Sequence, residues 1–365
     1  MNANTSRQNP AEGDESAQLL FRTARDLPTG RHQFHRERLM DRIHNKQQEE
    51  RTATAAPPKA RRFRLPRAAI ALPAIAAAVA GVVVAGLAMS GGGGAKDGGV
   101  ATGPALTTQI GAATTKGVPQ LLDQISLAAA DGSHPAVKPG QYIYIDSKTA
   151  DTSLKTVNGK TTVAVNELHR RQVWTSPDGT KGWLIDPTVN ESPEGETLSL
   201  PDEQGNAPKA HLNSPSYDYL AKLTTDPDEL LAKIYKETKG HGNSPDQEAF
   251  TTIGDLLGES YPPAGLYSAL FKAAAKIPGV VVVQDAVDAV GRHGVAVARL
   301  DETSGRREEW IFDRKTHVFL GQRTVQVRKN SGEDAPIKPG TVIYTSAIMN
   351  RAVVDSMKQS PSQAG

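Results

Sequence analysis

Residues 294–327, GVAVARLDETSGRREEWIFDRKTHVFLGQRTVQV, carry the pattern that decides the fold. Three runs rich in β-branched and aromatic residues are separated by two turn-forming pairs, Ser304-Gly305 and Arg314-Lys315. Such runs predict strands, and consecutive strands joined by short turns pair antiparallel. The stretch therefore predicts an antiparallel meander with one face toward solvent.

Further strand-like runs lie on both sides of this meander, at 141–146, 163–174, 181–185, 280–283 and after 337. The last run opens with Ile337-Lys-Pro-Gly-Thr-Val-Ile-Tyr344, which echoes Val137-Lys-Pro-Gly-Gln-Tyr-Ile-Tyr144. Two interpretations of this echo stay open. Either the first and last strands are equivalent edges of one sheet, or both stretches are turns that precede a strand.

Helices are predicted before and between these strands. One covers residues 119–130, and three more begin at Asp226-Pro227, Ser244-Pro245 and Pro262-Pro263, where a cap residue or a proline marks a helix start. For the helix after Ser244, Gln247 completes a capping box. The sequence thus predicts an α+β domain over residues 118–352, an antiparallel sheet with a helical insertion, followed by a disordered tail at 353–365.

Residues 68–90, AAIALPAIAAAVAGVVVAGLAMS, carry no charged side chain. As a helix they extend over about 34 Å, enough to cross a hydrocarbon core of about 30 Å. Only a helix can cross as a single segment, because its backbone polar groups pair internally. We therefore predict one transmembrane helix here. Its small residues Ala77, Gly81 and Ala85 recur every four positions, which favours a weak homodimer through the span.

Charge sets the predicted orientation. Residues 1–67 hold 14 Lys and Arg against 8 Asp and Glu, and five of the basic residues lie between Lys59 and Arg67. The positive-inside rule places residues 1–67 in the cytoplasm and 91–365 outside the cell membrane, with 91–117 as a flexible tether. The basic residues face anionic membrane lipid, so direct contact with nucleic acid is not expected. A cleaved export signal is the alternative, but its apolar region would begin unusually far into the chain.

The cytoplasmic segment is predicted to be largely disordered, with one short amphipathic helix near residues 31–44. A helix of this length is marginal alone in water, so we expect it to dock on a partner protein or on the membrane surface. Its apolar side chains would anchor the contact and its arginines would steer toward an acidic surface. The candidate partner-binding residues are Leu27, Pro28, Arg31, Arg38, Leu39, Met40, Arg42 and Ile43.

Little in the sequence points to catalysis. The chain has no cysteine, which excludes disulfide scaffolds, iron–sulfur clusters and thiolate zinc sites. His32 and His35 lie three residues apart, but no neighbouring carboxylate completes a metal site. Neither a nucleophile motif nor a phosphate-binding loop occurs, and Glu308 and Glu309 are expected on opposite faces of a strand. We therefore expect no enzyme activity, no cofactor and no metal.

Three stretches together resemble a known protein family: LPTGRHQFHRERLMDRI at 27–43, the arginine-flanked span, and GRHGVAVARLDETSGRREEWIFDRKTHVFLGQRTV at 291–325. They are similar to an uncharacterised family of single-pass membrane proteins of high-GC Gram-positive bacteria, often encoded beside extracytoplasmic-function sigma factors. The resemblance implies a topology and a genomic setting but no activity. Strand pairs around a helical insertion also resemble the half-barrels of lipoprotein-carrier proteins and exported sensors of envelope stress.

Two functions follow as hypotheses. The first is a membrane-anchored regulator, whose outer domain senses a ligand and whose cytoplasmic helix binds a sigma factor. Many anti-sigma factors carry a zinc helix with cysteines, which this chain lacks, so its inhibitory segment would be of another kind. The second is an outer binding module for lipid or cell-wall material, with the inner segment serving only as an anchor.

Overall fold

The computed structural model describes residues 106–132, 134–157, 160–190, 192–198 and 209–361. The predicted cytoplasmic segment, its candidate partner-binding residues and the predicted span at 68–90 lie outside the described residues. Among the residues that are described, no helix is long and apolar enough to cross a membrane.

Ten strands and five α-helices make up the described domain. They follow one another along the chain as β1 Ala113–Thr114, α1 Val118–Asp131, β2 Tyr142–Val157, β3 Lys160–Thr175, β4 Gly182–Ile185, β5 Glu196–Thr197, α2 Tyr217–Leu220, α3 Pro227–Glu237, α4 Pro245–Glu259, α5 Ala264–Ala274, β6 Val280–Val287, β7 His293–Asp301, β8 Arg306–Phe312, β9 Phe319–Gln326 and β10 Val342–Val354. A short 3₁₀ helix, Gly332–Asp334, precedes β10.

All ten strands belong to one antiparallel sheet, in the order β1-β6-β7-β8-β9-β10-β2-β3-β4-β5. The predicted α+β class and the antiparallel sheet are therefore confirmed. Helices α2–α5 lie between β5 and β6 in the chain, as the predicted insertion requires. The meander β6–β9 pairs each strand with its successor, as the turn pattern in residues 294–327 indicated.

The two echoed sequences precede neighbouring strands at the centre of the sheet. β10 pairs with β2 over ten residue pairs, from Tyr344 opposite Asp151 to Val354 opposite Tyr142. Each strand also has a second partner, so the interpretation of equivalent edges is wrong. Both sequences are turns before a strand, each closed by a backbone hydrogen bond of 3.0 Å and each using a glycine at positive φ, Gly140 or Gly340.

Helices cover one face of the meander half of the sheet. The inward side chains of β6, β7 and β8 alternate with outward ones, which gives this face its apolar surface. Phe250 of α4 stacks on Trp310 of β8 with ring centroids 3.8 Å apart and nearly parallel planes. The sheet contributes Val280, Val282, Val295, Val297, Trp310, Phe312 and Phe319 to this core.

The predicted helix caps are present, with one difference. Asp226 accepts backbone hydrogen bonds from Asp228 and Glu229, and Ser244 accepts one from Gln247. Gln247, expected to complete a capping box, has its side chain turned toward the sheet instead. Its Oε1 accepts a 2.7 Å hydrogen bond from Arg299, because that buried guanidinium needs an acceptor more than the helix terminus does.

Both chain segments that flank the domain lie against the sheet. Residues 106–117, expected as the end of the tether, include β1, and the carbonyl of Gly111 accepts a 3.0 Å hydrogen bond from Arg307. Arg307 and Arg323 both donate at 2.7 Å to Glu309, whose side chain is 0% exposed. The pair of arginines thus neutralises a buried carboxylate and anchors the segment. At the other end, β10 runs two residues past the domain boundary expected at 352.

The packing of α4 on Trp310 yields the first prediction. A Cβ at Gly254 would lie 2.4 Å from Trp310 Nε1 and 2.7 Å from Glu308 Oε1. We expect Gly254→Ala to lower the free energy of unfolding by about 1–3 kcal/mol, since overpacking outweighs the gain in helix propensity. The measurement is urea unfolding followed by circular dichroism.

Gly265 of α5 supplies the matched control. A Cβ there would meet its nearest neighbour, Thr225 Cγ2, at 3.5 Å, an ordinary contact. Gly265→Ala should leave stability unchanged or raise it by about 0.5 kcal/mol. Equal effects of the two substitutions would contradict the described contact between α4 and β8.

Candidate functional site: a polar cleft beside the helices

One row of directly paired residues crosses six strands on the helix-bearing face. It runs from Val297 and Trp310 through Gln322 and Ser346 to Thr149 and His169. Because directly paired residues of adjacent strands share a face, all six side chains belong to the same face of the sheet. Along the row, the side chains change from apolar to polar between Trp310 and Gln322. The apolar members lie beneath the helices. The polar ones begin at β9, beside the end of α4.

A cleft of about 80 Å³ lies at this transition. Such a volume holds several water molecules or a small polar group. The floor comes from four strands, and Gly258 and Glu259 at the end of α4 form one wall. The lining residues are Ile145, Ser147, Thr149, Arg171, Val173, Gly258, Glu259, Gln322, Tyr344, Ser346 and Ile348.

Gln322 is the most informative residue of the cleft. Its side chain is 7% exposed, and its Oε1 accepts no hydrogen bond from any described residue. Gly258 lies against this amide, and a Cβ at that position would meet Gln322 Nε2 at 3.4 Å, an ordinary contact. A buried carbonyl oxygen without a donor costs about 1–3 kcal/mol. A molecule that enters the cleft, either water or a ligand, would supply that donor.

The polar end of the row continues into a hydrogen-bonded cluster on β2, β3 and the turn after β4. His169 Nε2 lies 3.0 Å from Thr149 Oγ1, 3.3 Å from Thr188 Oγ1 and 3.4 Å from Asp186 Oδ1. Asp186 is buried and also accepts a 3.2 Å hydrogen bond from Arg171. These contacts hold Arg171 at the edge of the cleft.

This cluster has the residue types of a catalytic triad but not its geometry. In a triad the histidine connects nucleophile and carboxylate through its two different ring nitrogens. Here Thr149 and Asp186 both approach Nε2, while Nδ1 lies 2.8 Å from the carbonyl oxygen of Glu167. His169 cannot relay a proton from Thr149 toward Asp186. The arrangement joins Thr149, His169 and Asp186 in one hydrogen-bonded cluster.

The other end of the cleft is apolar and adjoins an aromatic cluster. Ile145 packs with Tyr261, and the His134 ring lies 5.7 Å from the ring of Tyr261 and 5.1 Å from that of Tyr267. Burial, with a smaller contribution from the nearby Arg351 charge, lowers the pKa of His134. Burial also raises the pKa of Tyr261 to about 12. Both groups are therefore neutral near pH 7, as an apolar wall requires.

Arg351 fixes this cluster to the end of α4. Its Nη2 donates a 2.6 Å hydrogen bond to the carbonyl of Leu257, one of the last carbonyls of the helix. A cation at a helix C-terminus also complements the helix dipole. The contact therefore holds the wall of the cleft, Gly258 and Glu259, in place against β10.

None of these cleft residues was predicted as a site from the sequence, and the eight predicted partner-binding residues lie outside the described part of the chain. The echo of Lys-Pro-Gly before β2 and β10 was the one available signal, because it marks two of the four strands that line the cleft. Glu308 and Glu309 do lie on opposite faces, with Glu308 toward α4 and Glu309 toward Arg307. Within the described residues no three His, Asp or Glu side chains are grouped to hold a metal.

The comparisons with known proteins add no relative. No family model matches the sequence, and no curated protein matches it significantly.

If Gln322 is a ligand-binding group, its removal should not cost stability. We expect Gln322→Leu to leave the free energy of unfolding unchanged or to raise it by about 1 kcal/mol, because an unpaired buried oxygen is replaced by apolar atoms. The measurement is urea unfolding of the variant and the unmodified chain, both without added ligand.

Gln326 of the same strand is the control. It is 0% exposed, and its Oε1, like that of Gln322, accepts no hydrogen bond from a described residue. The difference lies in its Nε2, which donates to the carbonyls of Ser304 and Arg328 at 3.0 and 2.9 Å. Gln326→Leu should therefore lower stability by about 1–3 kcal/mol. A similar loss in Gln322→Leu would mean that Gln322 is structural and would remove the reason for placing a ligand there.

Proposed function

We propose that this protein is a membrane-anchored sensor, in which residues 1–67 lie in the cytoplasm, residues 68–90 cross the membrane and the described domain lies outside. The outer domain binds a small polar ligand in the cleft, and the inner segment binds a sigma factor. The unpaired buried oxygen of Gln322 is the observation that carries the sensing part of this proposal. The resemblance in residues 27–43 and 291–325 supports the regulatory part.

The cleft offers a ligand two kinds of contact. Gln322 Oε1 requires a hydrogen-bond donor, and Arg171 lies at the edge with a charged guanidinium. Ile145 and Ile348 supply apolar surface at the other end. A ligand with a donor group and a short apolar part is complementary to this lining.

We assign the domain a binding role rather than a catalytic one. The only nitrogen of His169 that faces Thr149 also faces Asp186, so the cluster lacks a base oriented by a separate partner. Its hydrogen bonds instead hold Arg171 and Thr149 in fixed positions. Fixed polar groups of this kind favour affinity and selectivity for one ligand.

The second candidate is a binding module for lipid or cell-wall material, with residues 1–67 serving only as an anchor. The apolar end of the cleft and its continuation to Tyr261 favour this alternative. Both candidates assign a binding role to the outer domain. They differ in the role of residues 1–67, which bind a sigma factor in the first and serve only as an anchor in the second. A sigma factor recovered on residues 1–67 supports the first, and its absence favours the second.

The cytoplasmic contact gives the decisive prediction. Replacing a central apolar anchor typically costs an interface about 2 kcal/mol or more. Leu39→Ala combined with Ile43→Ala should therefore abolish capture of the sigma factor, while membrane insertion and the outer domain stay unchanged. The measurement is co-purification from membranes with the full chain as bait.

Leu19→Ala combined with Leu20→Ala serves as the control. It removes the same number of side-chain carbon atoms, and both positions lie in the same segment, residues 1–67. It should retain the partner. If the Leu39/Ile43 variant loses binding to anionic vesicles and no protein partner is found, the segment is a membrane-surface helix. If neither binding changes, the regulator proposal fails.

A further inference from the structure

A second row of paired residues lies on the face of the sheet opposite the helices. Tyr144 of β2 pairs with Trp174 of β3, which pairs with Trp183 of β4. The rings of Tyr144 and Trp174 lie 4.9 Å apart and both side chains are 1% exposed. Trp183 packs against these two side chains, and we call the three together the aromatic row.

The chain's own C-terminal residues cover this row. Trp174 Nε1 donates a 2.7 Å hydrogen bond to the carbonyl oxygen of Gln359. The ammonium of Lys358 lies 3.3 Å from the ring centroid of Trp183, a cation–π contact. Gln141 binds the carboxylate of Asp355 at 2.9 Å. Residues 355–359, which follow β10 directly, are the covering segment.

The covering segment forms one tight turn with a strained residue. Gln359 Oε1 accepts hydrogen bonds of 3.1 Å from the backbone of Asp355 and Ser356. Lys358 has φ of 67°, a left-handed conformation that residues with a Cβ rarely adopt. The segment therefore holds its lysine on Trp183 at a conformational cost, which its release would relieve.

We propose that the aromatic row is a binding site for a lysine-containing peptide segment of a partner protein, and that residues 355–359 occupy it in the absence of that partner. Two specific elements support this assignment. The face of Trp183 binds a lysine ammonium, and the indole N–H of Trp174 donates a hydrogen bond to the carbonyl oxygen of the residue after that lysine. A saccharide could stack on the same rings but would leave the cation site empty.

The covering segment competes with any incoming peptide. Because it is joined to the sheet through Val354, its effective concentration at the row is in the millimolar range. A partner peptide binds tightly only when the covering segment is released or when the peptide makes additional contacts. The row is on the opposite face from the cleft, so this inference is independent of the proposed ligand site.

The test uses the full chain and a synthetic peptide of its own residues, acetyl-Asp-Ser-Met-Lys-Gln-Ser-Pro-amide, labelled for fluorescence anisotropy. We expect Lys358→Ala combined with Gln359→Ala to raise the affinity for this peptide at least fivefold over the unmodified chain, because the covering segment loses its cation and its turn. Lys239→Ala, at an exposed lysine elsewhere, should have no effect.

A peptide with norleucine in place of lysine should bind the opened variant about fivefold more weakly, as expected for loss of a cation–π contact. Because this comparison changes only the peptide, its result does not depend on how a further protein variant folds. Equal binding of the two peptides, or no gain in the opened variant, would overturn the proposal. So would binding of a chitin-type oligosaccharide without binding of the lysine peptide, which would make the row a carbohydrate site.

Discussion

The pairing of β10 with β2 is the interaction on which the described domain depends. The strands from 142 to 197 and those from 280 to 354 are separated in the chain by the helices α2–α5. Between the two groups, β10 and β2 form the only strand contact within the described sheet. Ten residue pairs hold this seam, and without them the domain would be a hairpin unit and a separate meander.

The cleft lies directly on that seam. Ile145, Ser147 and Thr149 come from one side of it, and Tyr344, Ser346 and Ile348 from the other. A slip of one residue in the register of either strand would turn the cleft-lining side chains of that strand to the opposite face. The helices add the remaining constraint, since α4 ends at Glu259 beside the cleft and Arg351 of β10 holds that end. The site is therefore a consequence of a long-range pairing combined with one helix terminus.

Local patterns in the sequence were sufficient for much of the fold. The meander and the helix starts at Asp226 and Ser244 depend on neighbours within a few residues, and these were predicted correctly. The seam pairs residues that lie about 200 positions apart in the chain. The periodicity of apolar residues within one strand does not indicate which distant strand it pairs with. The echo of Lys-Pro-Gly identified the two strands but not their pairing, because a turn before a strand says nothing about the strand's neighbour.

The site was beyond prediction for a related reason. Thr149 and His169 are brought together by the register of a long hairpin that shifts at a bulge between Thr149 and Asp151. Gln322 and Gly258 line the same cleft although they are distant in sequence. For Glu309 only part was predictable from the sequence. The alternation of side chains along a strand placed Glu309 and Glu308 on opposite faces, but it did not indicate that Arg307 and Arg323 bind Glu309.

The central claim is that one chain places a binding domain outside the membrane and a partner-binding segment inside. The absence of cysteine makes this directly measurable, because any introduced cysteine is the sole thiol. Ser6→Cys marks the N-terminal segment, and Lys239→Cys marks an exposed loop of the domain. With a membrane-impermeant maleimide on intact cells, we predict labelling at position 239 and labelling at position 6 only after lysis. Labelling of both positions in intact cells, or recovery of the chain in the fraction free of membranes, would contradict the account.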